Sequence, residues 1–124
     1  MPLHYERDDE RQRIAVTSIG DVTLDETLAL IDRQAREGAW SYSLLYDARA
    51  SERIPTPADL QRLVLHVGNL TMKYGPRGRV AFVVVHRSHQ KMAHHYERMA
   101  ALTAADVRVF ATIEEAELWL DAAV

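Results

Sequence analysis

Val80-Ala81-Phe82-Val83-Val84-Val85 is the stretch on which the fold turns. Six apolar residues in a row, most of them β-branched, leave no polar face. A strand reads this way when both its faces are covered, as in the middle of a parallel sheet. The run is far too short to cross a bilayer. Punctuation frames it on both sides. Gly75-Pro76-Arg77-Gly78 is a turn before it, and Ser88 after it reads as the cap of a third helix running to about Leu102.

Working outward toward the N-terminus, a second helix is capped by Thr56, with Pro57 at its first position and Asp59 in its first turn. Leu60, Leu63, Val64, Val67, Leu70 and Tyr74 fall on one face of it at helical spacing. Leu65 and Met72 fall off that face, with Gly68 and Asn69 between them. Before this helix comes a loop from Ala48 to Pro55, and before the loop a short strand from Tyr42 to Tyr46, ending at Asp47. The first helix opens on a capping box, Thr23 with Glu26, and stops at Gly38, with Leu24, Leu28, Ile31 and Ala35 inward. His4 to Arg7 and Arg13 to Ile19 read as two strands of a hairpin turning through Asp8-Asp9-Glu10-Arg11. Toward the C-terminus, Val107 to Phe110 is a last strand. Thr112 and Glu115 form a second capping box for a last helix that turns Ile113, Ala116, Trp119, Leu120 and Ala123 inward.

The order is β-β-α-β-α-β-α-β-α: a single α/β domain over residues 1–124, with a mostly parallel sheet and helices packed against it. At 124 residues one core is expected and a second is not. The chain has no cysteine, which excludes disulfides, thiolate metal sites and cysteine nucleophiles. Net charge is −3, against bulk attraction to nucleic acid. The basic stretch Lys73 to Arg98 lacks the interleaved aromatics and glycine-rich loop of an RNA site, and a solvated helix face explains it better. The polar opening Met1 to Asp9 does not fit a signal peptide, and no apolar run is long enough for a transmembrane segment, so a cytoplasmic location is expected.

Three segments together resemble the SpoIIAA-like (STAS-like) family of small bacterial proteins. They are Leu44-Leu45-Tyr46-Asp47 ending the third strand, Val80-Ala81-Phe82-Val83-Val84 in the fourth, and Val109-Phe110 followed by Glu114-Glu115-Ala116-Glu117-Leu118-Trp119-Leu120. The resemblance spans nearly the whole chain. It implies an α/β sandwich that binds proteins or ligands rather than catalysing a reaction. Better-known members antagonise anti-sigma factors and carry a phosphorylatable serine in an Asp-Ser-Ser-Gly motif after the third strand. This chain has Asp47-Ala48-Arg49-Ala50-Ser51 there, so the phosphoswitch does not carry over.

Ligands of open parallel sheets bind beyond the carboxyl ends of the strands. Those ends offer Asp47, Arg49 and Ser51 after one strand and His86, Arg87, Ser88 and His89 after the next. With Ser88 as cap, the first amides of the third helix are expected to draw an anion, helped by Arg87, His89 and Arg49. Asp47, Arg49, His86, Arg87, Ser88 and His89 are therefore the candidate ligand residues of a binding or regulatory module. Its occupant would be a protein partner or a small anionic, amphipathic or lipid-like ligand. The alternative is a small enzyme using His86, His89 and Asp47. No catalytic residue is assigned, because Ser88 has no Gly-x-Ser-x-Gly frame. No metal or cofactor is assigned either. His89 and His94 are five apart, and adjacent His94 and His95 point about 100° apart, whereas a zinc helix places ligands at i and i+4. Leu65 and Met72 are the candidate interface of a homodimer, or else the mouth of an apolar pocket.

Overall fold

The computed structural model describes residues 3–122 and has the expected element order. The strands are β1 (Leu3–Asp8), β2 (Arg13–Gly20), β3 (Ser43–Ser51), β4 (Val80–Val83) and β5 (Val107–Phe110). The helices are α1 (Leu24–Arg36), α2 (Pro57–Tyr74), α3 (Arg87–Ala101) and α4 (Ile113–Asp121). One five-stranded sheet runs in the order β1-β2-β3-β4-β5. Only the β1–β2 hairpin is antiparallel, and the other three pairings are parallel.

Sequential order has a consequence. Right-handed crossovers between neighbouring parallel strands place every connecting helix on the same face. Leu30 and Ile31 of α1, Leu60, Leu63 and Val67 of α2, and Tyr96 and Ala100 of α3 accordingly share one core with Ile14, Val16, Leu44, Val80 and Val107. After β5 no further strand demands a crossover, and α4 packs on the other face. There Ala116 and Leu120 meet Leu45, Ala81 and Val83. Residues 44 and 45, or 80 and 81, thus look in opposite directions, as strand pleating requires.

The capping residues behave largely as their types demand. Thr23 Oγ1 accepts from the Glu26 N–H at 3.2 Å while Glu26 Oε1 accepts from the Thr23 N–H at 3.1 Å. Thr56 and Asp59 make the same reciprocal box. Thr112 accepts from the Glu115 N–H, but its hydroxyl donates to the Glu115 carboxylate, so the second half of the expected box is side chain to side chain.

Besides shifts of a residue at other ends, several features differ from the sequence reading. β3 continues through Asp47 to Ser51, because beyond an irregularity at Thr17/Ile19 it pairs Ala50 and Ser51 with Ile19 and Gly20 of β2. The expected loop therefore begins only after Ser51. β4 ends at Val83, although the Val84 N–H still donates to the Phe110 carbonyl at 3.1 Å, and Val85 is exposed. Tyr74, expected in the core face of the second helix, is exposed at its last turn. Ser88 does not cap α3. His86 occupies that position without a side-chain cap, and Ser88 is the second helical residue and exposed. Ala123, expected inward on α4, lies outside the described residues.

A candidate ligand cavity under three helices

Between the sheet and α1–α3 lies a mostly apolar cavity of about 140 Å³. Its walls follow from the pleat. Leu44, Tyr46 and Ala48 of β3 and Phe82 of β4 point at the helices, which supply Leu30 and Ile31, Leu60 and Leu63, and Met92, Ala93 and Tyr96. An aromatic row crosses it. The Tyr46 and Phe82 rings lie 5.2 Å apart and tilted, and Phe82 meets Tyr96 edge-on at 5.7 Å.

The helix N-termini and the carboxyl ends of the strands lie at one end of this space. Here the lining passes through Ser51, Arg53 and Pro55, with the Arg53 side chain about half exposed. This is the mouth. At the other end the turn before β4 closes the floor, and Arg77 from that turn lines the cavity.

The turn is held rigidly. Trp40 Nε1 donates to the Gly75 carbonyl at 2.9 Å, and the Gly78 N–H donates to the Trp40 carbonyl at 3.3 Å. A Cβ on Gly78 would collide with the carbonyl oxygens of Ser41 and Tyr42, so only glycine permits the approach. The result is an Arg77 guanidinium 5.1 Å from the centre of the Trp40 ring and beside the Tyr96 hydroxyl.

Three features of Arg77 stand out physically. Its Nε is buried and has no hydrogen-bond partner. Among the described residues no carboxylate lies within salt-bridge distance of it, whereas Arg7, Arg13, Arg49, Arg53 and Arg79 each have one. Burial pulls the guanidinium below the usual arginine range, with the Tyr96 hydroxyl acting in the other direction. Burial likewise pushes the Tyr96 phenol up, offset in part by Arg77. Arginine nonetheless keeps its proton in proteins, so the floor holds a poorly compensated positive charge.

His89 is the second unsatisfied group. Both its ring nitrogens are buried without partners, and it lines the cavity on the first turn of α3. Its ring stands 5.8 Å from that of His86, which is exposed.

The six residues read from the sequence as one site are not brought together. His89 belongs to the cavity. Arg87, Ser88 and His86 are exposed at the start of α3, outside the lining. Asp47 pairs with Val83 in the register and so shares the α4 face. There Arg49 grips it with two bonds of 2.9 Å, and that guanidinium, together with its backbone N–H, holds the Asp47 carboxyl below the usual carboxylate range. Arg49 is therefore committed to Asp47 rather than to the start of α3. No hydrogen bond joins Asp47 to His86 or His89, so the catalytic alternative does not assemble. The basic stretch is dispersed too: Arg77 turns inward, while Arg79 pairs with Asp106 at 3.3 Å and lies over Trp119. Leu65 and Met72 are open to solvent, at 69% and 88% exposure, so neither is at the cavity mouth.

Arg77, Tyr96, Tyr46 and Phe82 escaped the sequence reading as site residues. The available signal was the alternation itself. In a strand covered on both sides, Tyr46 and Phe82 are the bulky members of the helix-facing set, and bulky aromatics beside small Ala48 frame a gap.

No helix among the described residues is long and apolar enough to cross a membrane. No family model and no curated protein matches the sequence. Solved structures do match in fold. A protein with a SpoIIAA-like fold from Shewanella loihica is 17% identical, with a TM-score of 0.60 over 95% of this chain and 91% of its own. An anti-sigma factor antagonist from Mycobacterium paratuberculosis is 16% identical, with a TM-score of 0.62 over 96% of this chain and 92% of its own. The anti-sigma factor antagonist SpoIIAA in its unphosphorylated form is 15% identical, with a TM-score of 0.60 over 97% of this chain and 98% of its own. The fold is SpoIIAA-like.

Proposed function

We propose that this domain works by binding rather than catalysis, holding a small amphipathic ligand in the cavity under α1–α3. The observation that carries this reading is the cavity itself. It is lined by leucines and aromatics, opens at the helix N-termini, and is interrupted by polar groups at only a few points. Ligand sites have this composition, apolar walls with a few placed polar groups. A space of this size is on the order of that which holds a benzene-sized solute. Methyl-resolved NMR with 1-octanol tests it. Shifts should concentrate on Leu30, Leu60, Leu63 and Met92. A response spread over exposed Leu102 and Leu118, or none at millimolar alcohol, refutes the reading.

The fold brings a second element. Two structures that share it are described as anti-sigma factor antagonists, which supports a regulatory role through a protein partner in the cytoplasm. Leu65 and Met72 project from the outer side of α2 one heptad apart, on one stripe of the helix. We assign them to an interface, with a homodimer as its simplest form. Light scattering at micromolar concentration should show twice the 14.1 kDa chain mass and a return to that mass in Leu65→Asp. A wild-type chain that stays at the single-chain mass rejects the dimer.

A further inference from the structure

We infer that the ligand is a monocarboxylate with a short apolar tail, its carboxylate on the Arg77 guanidinium and the Tyr96 hydroxyl and its tail directed toward His89. This rests on the cavity being a ligand site and adds the chemistry of the occupant.

The floor supplies the argument for an anion. A guanidinium held in an apolar wall with a buried, unpaired Nε is costly unless an acceptor arrives. Other charged groups of the cavity do not serve. Asp59 lines it, but its carboxylate accepts from the Thr56 N–H at 3.0 Å in the cap of α2. Arg53 at the mouth is paired with Asp21 at 2.7 Å. The ring of Trp40 offsets the charge of Arg77 but leaves the Nε donor unmet.

Charge and geometry favour a carboxylate over a phosphate. One guanidinium and one phenol present a single positive charge and a few donors. A monocarboxylate neutralises that charge, whereas a dianion would bury an excess of its own. The free donor is Nε, and the side-on edge of a guanidinium, Nε with one Nη, is a two-point match to a carboxylate.

Length follows from α3. His89 and Tyr96 lie on one helix seven residues apart, and both line the cavity. At ~1.5 Å per residue that is roughly 10 Å from floor to mouth, so the cavity of about 140 Å³ encloses the carboxylate and the first carbons of a tail whose end leaves through the mouth. The tail would lie along Leu30, Leu60 and Leu63, and Met92 offers an adaptable wall for it.

Calorimetric titration of the whole chain with octanoate, 1-octanol and octylamine separates the alternatives. Octanoate should bind at least about tenfold tighter than 1-octanol, the contribution of one charge-assisted contact, and octylamine should bind more weakly than either. Butyrate should bind more weakly than octanoate. Arg77→Met should abolish the preference for octanoate over the alcohol. Tyr96→Phe should lose part of the preference, and it provides the answer should Arg77→Met not fold. If octanoate and 1-octanol bind alike, the cavity is a ligand site but the carboxylate inference is wrong. If neither binds, both fall. An octanoate preference that survives in Arg77→Met and in Tyr96→Phe also overturns it.

Discussion

On the face covered by α4, Leu45, Ala81, Val83, Ala116 and Leu120 form a core, and Arg13 and Arg49 each have a carboxylate partner. Ala81, Val83 and Ala116 are completely buried. Arg13, itself buried, reaches Asp121 at 2.8 Å and Ser43 at 3.1 Å, and Asp47 holds Arg49 in a two-point grip. On the face covered by α1–α3, the same strands present Tyr46 and Phe82 to a cavity. There a half-buried arginine with a buried, unpaired Nε faces no carboxylate, and a histidine has two unmet nitrogens. One sheet therefore carries a side whose arginines are paired with carboxylates, Arg13 Nη1 alone being left without a partner there, and a side whose arginine has no carboxylate among the described residues. Completed networks belong to folding. An incomplete one persists against its energetic cost where something else completes it.

The sharpest way to break this contrast is to remove a guanidinium from each side. Arg13→Met discards the bonds of a buried guanidinium to Ser43 and to a half-exposed Asp121 and should lower stability by about 1–2 kcal/mol. Arg77→Met removes a charge that nothing pairs and keeps most of its volume. Replacing buried charge by apolar volume is neutral to stabilising, by up to roughly 2 kcal/mol in this setting. Urea unfolding of the two variants without ligand should therefore move in opposite directions, or show a loss in Arg13→Met alone. A loss in Arg77→Met equal to that in Arg13→Met would mean Arg77 is a structural residue and the two faces are alike.

The same contrast explains what could be read from the chain beforehand. Element order was legible because it depends on local chemistry. Thr23, Thr56 and Thr112 cap helices through bonds three residues away, and Val80 to Val83 is apolar on both sides wherever it sits. The site was not legible, because its residues meet only through topology. Arg77 stands in a turn of glycine and proline, the usual surroundings of a solvated arginine. Its inward direction is set by Trp40, some way back in the chain, and by the lack of a Cβ on Gly78. Asp47 looked free at a strand end because the further pairing of β3 with β2 past an irregularity has no signature in Ala48-Arg49-Ala50-Ser51. The cap of α3 was misread at Ser88 for a related reason. A serine near a helix start is a sound local signal, but the end of β4 and the turn at Val85–His86 fix where the helix begins.

A smaller effect tests the matched side through pH. Tyr46 and Asp47 are neighbours in β3 and face opposite ways, so a change at Asp47 should be felt on the α4 side alone. Arg49, first through its guanidinium and then through its backbone N–H, keeps the folded-state Asp47 carboxyl below its usual range. A group whose proton affinity is lower in the folded state stabilises that state above its unfolded pKa, about 3.9 for aspartate, and loses this contribution as pH falls through the folded value. Asp47→Asn should thus lower the melting temperature by a few degrees at most at pH 7, since Arg49 is half-exposed and solvent screens the pair. The wild type and the variant should converge as pH falls through the lowered folded-state value, where wild-type Asp47 is protonated too. Octanoate binding at pH 7 should be the same in both, because the pair lies across the sheet from the cavity. Melting curves that differ equally at pH 7 and at acid pH would show that the asparagine acts by shape rather than charge. A change in octanoate affinity would show that the two faces communicate through β3, and the division between the side with paired arginines and the side without would then fail.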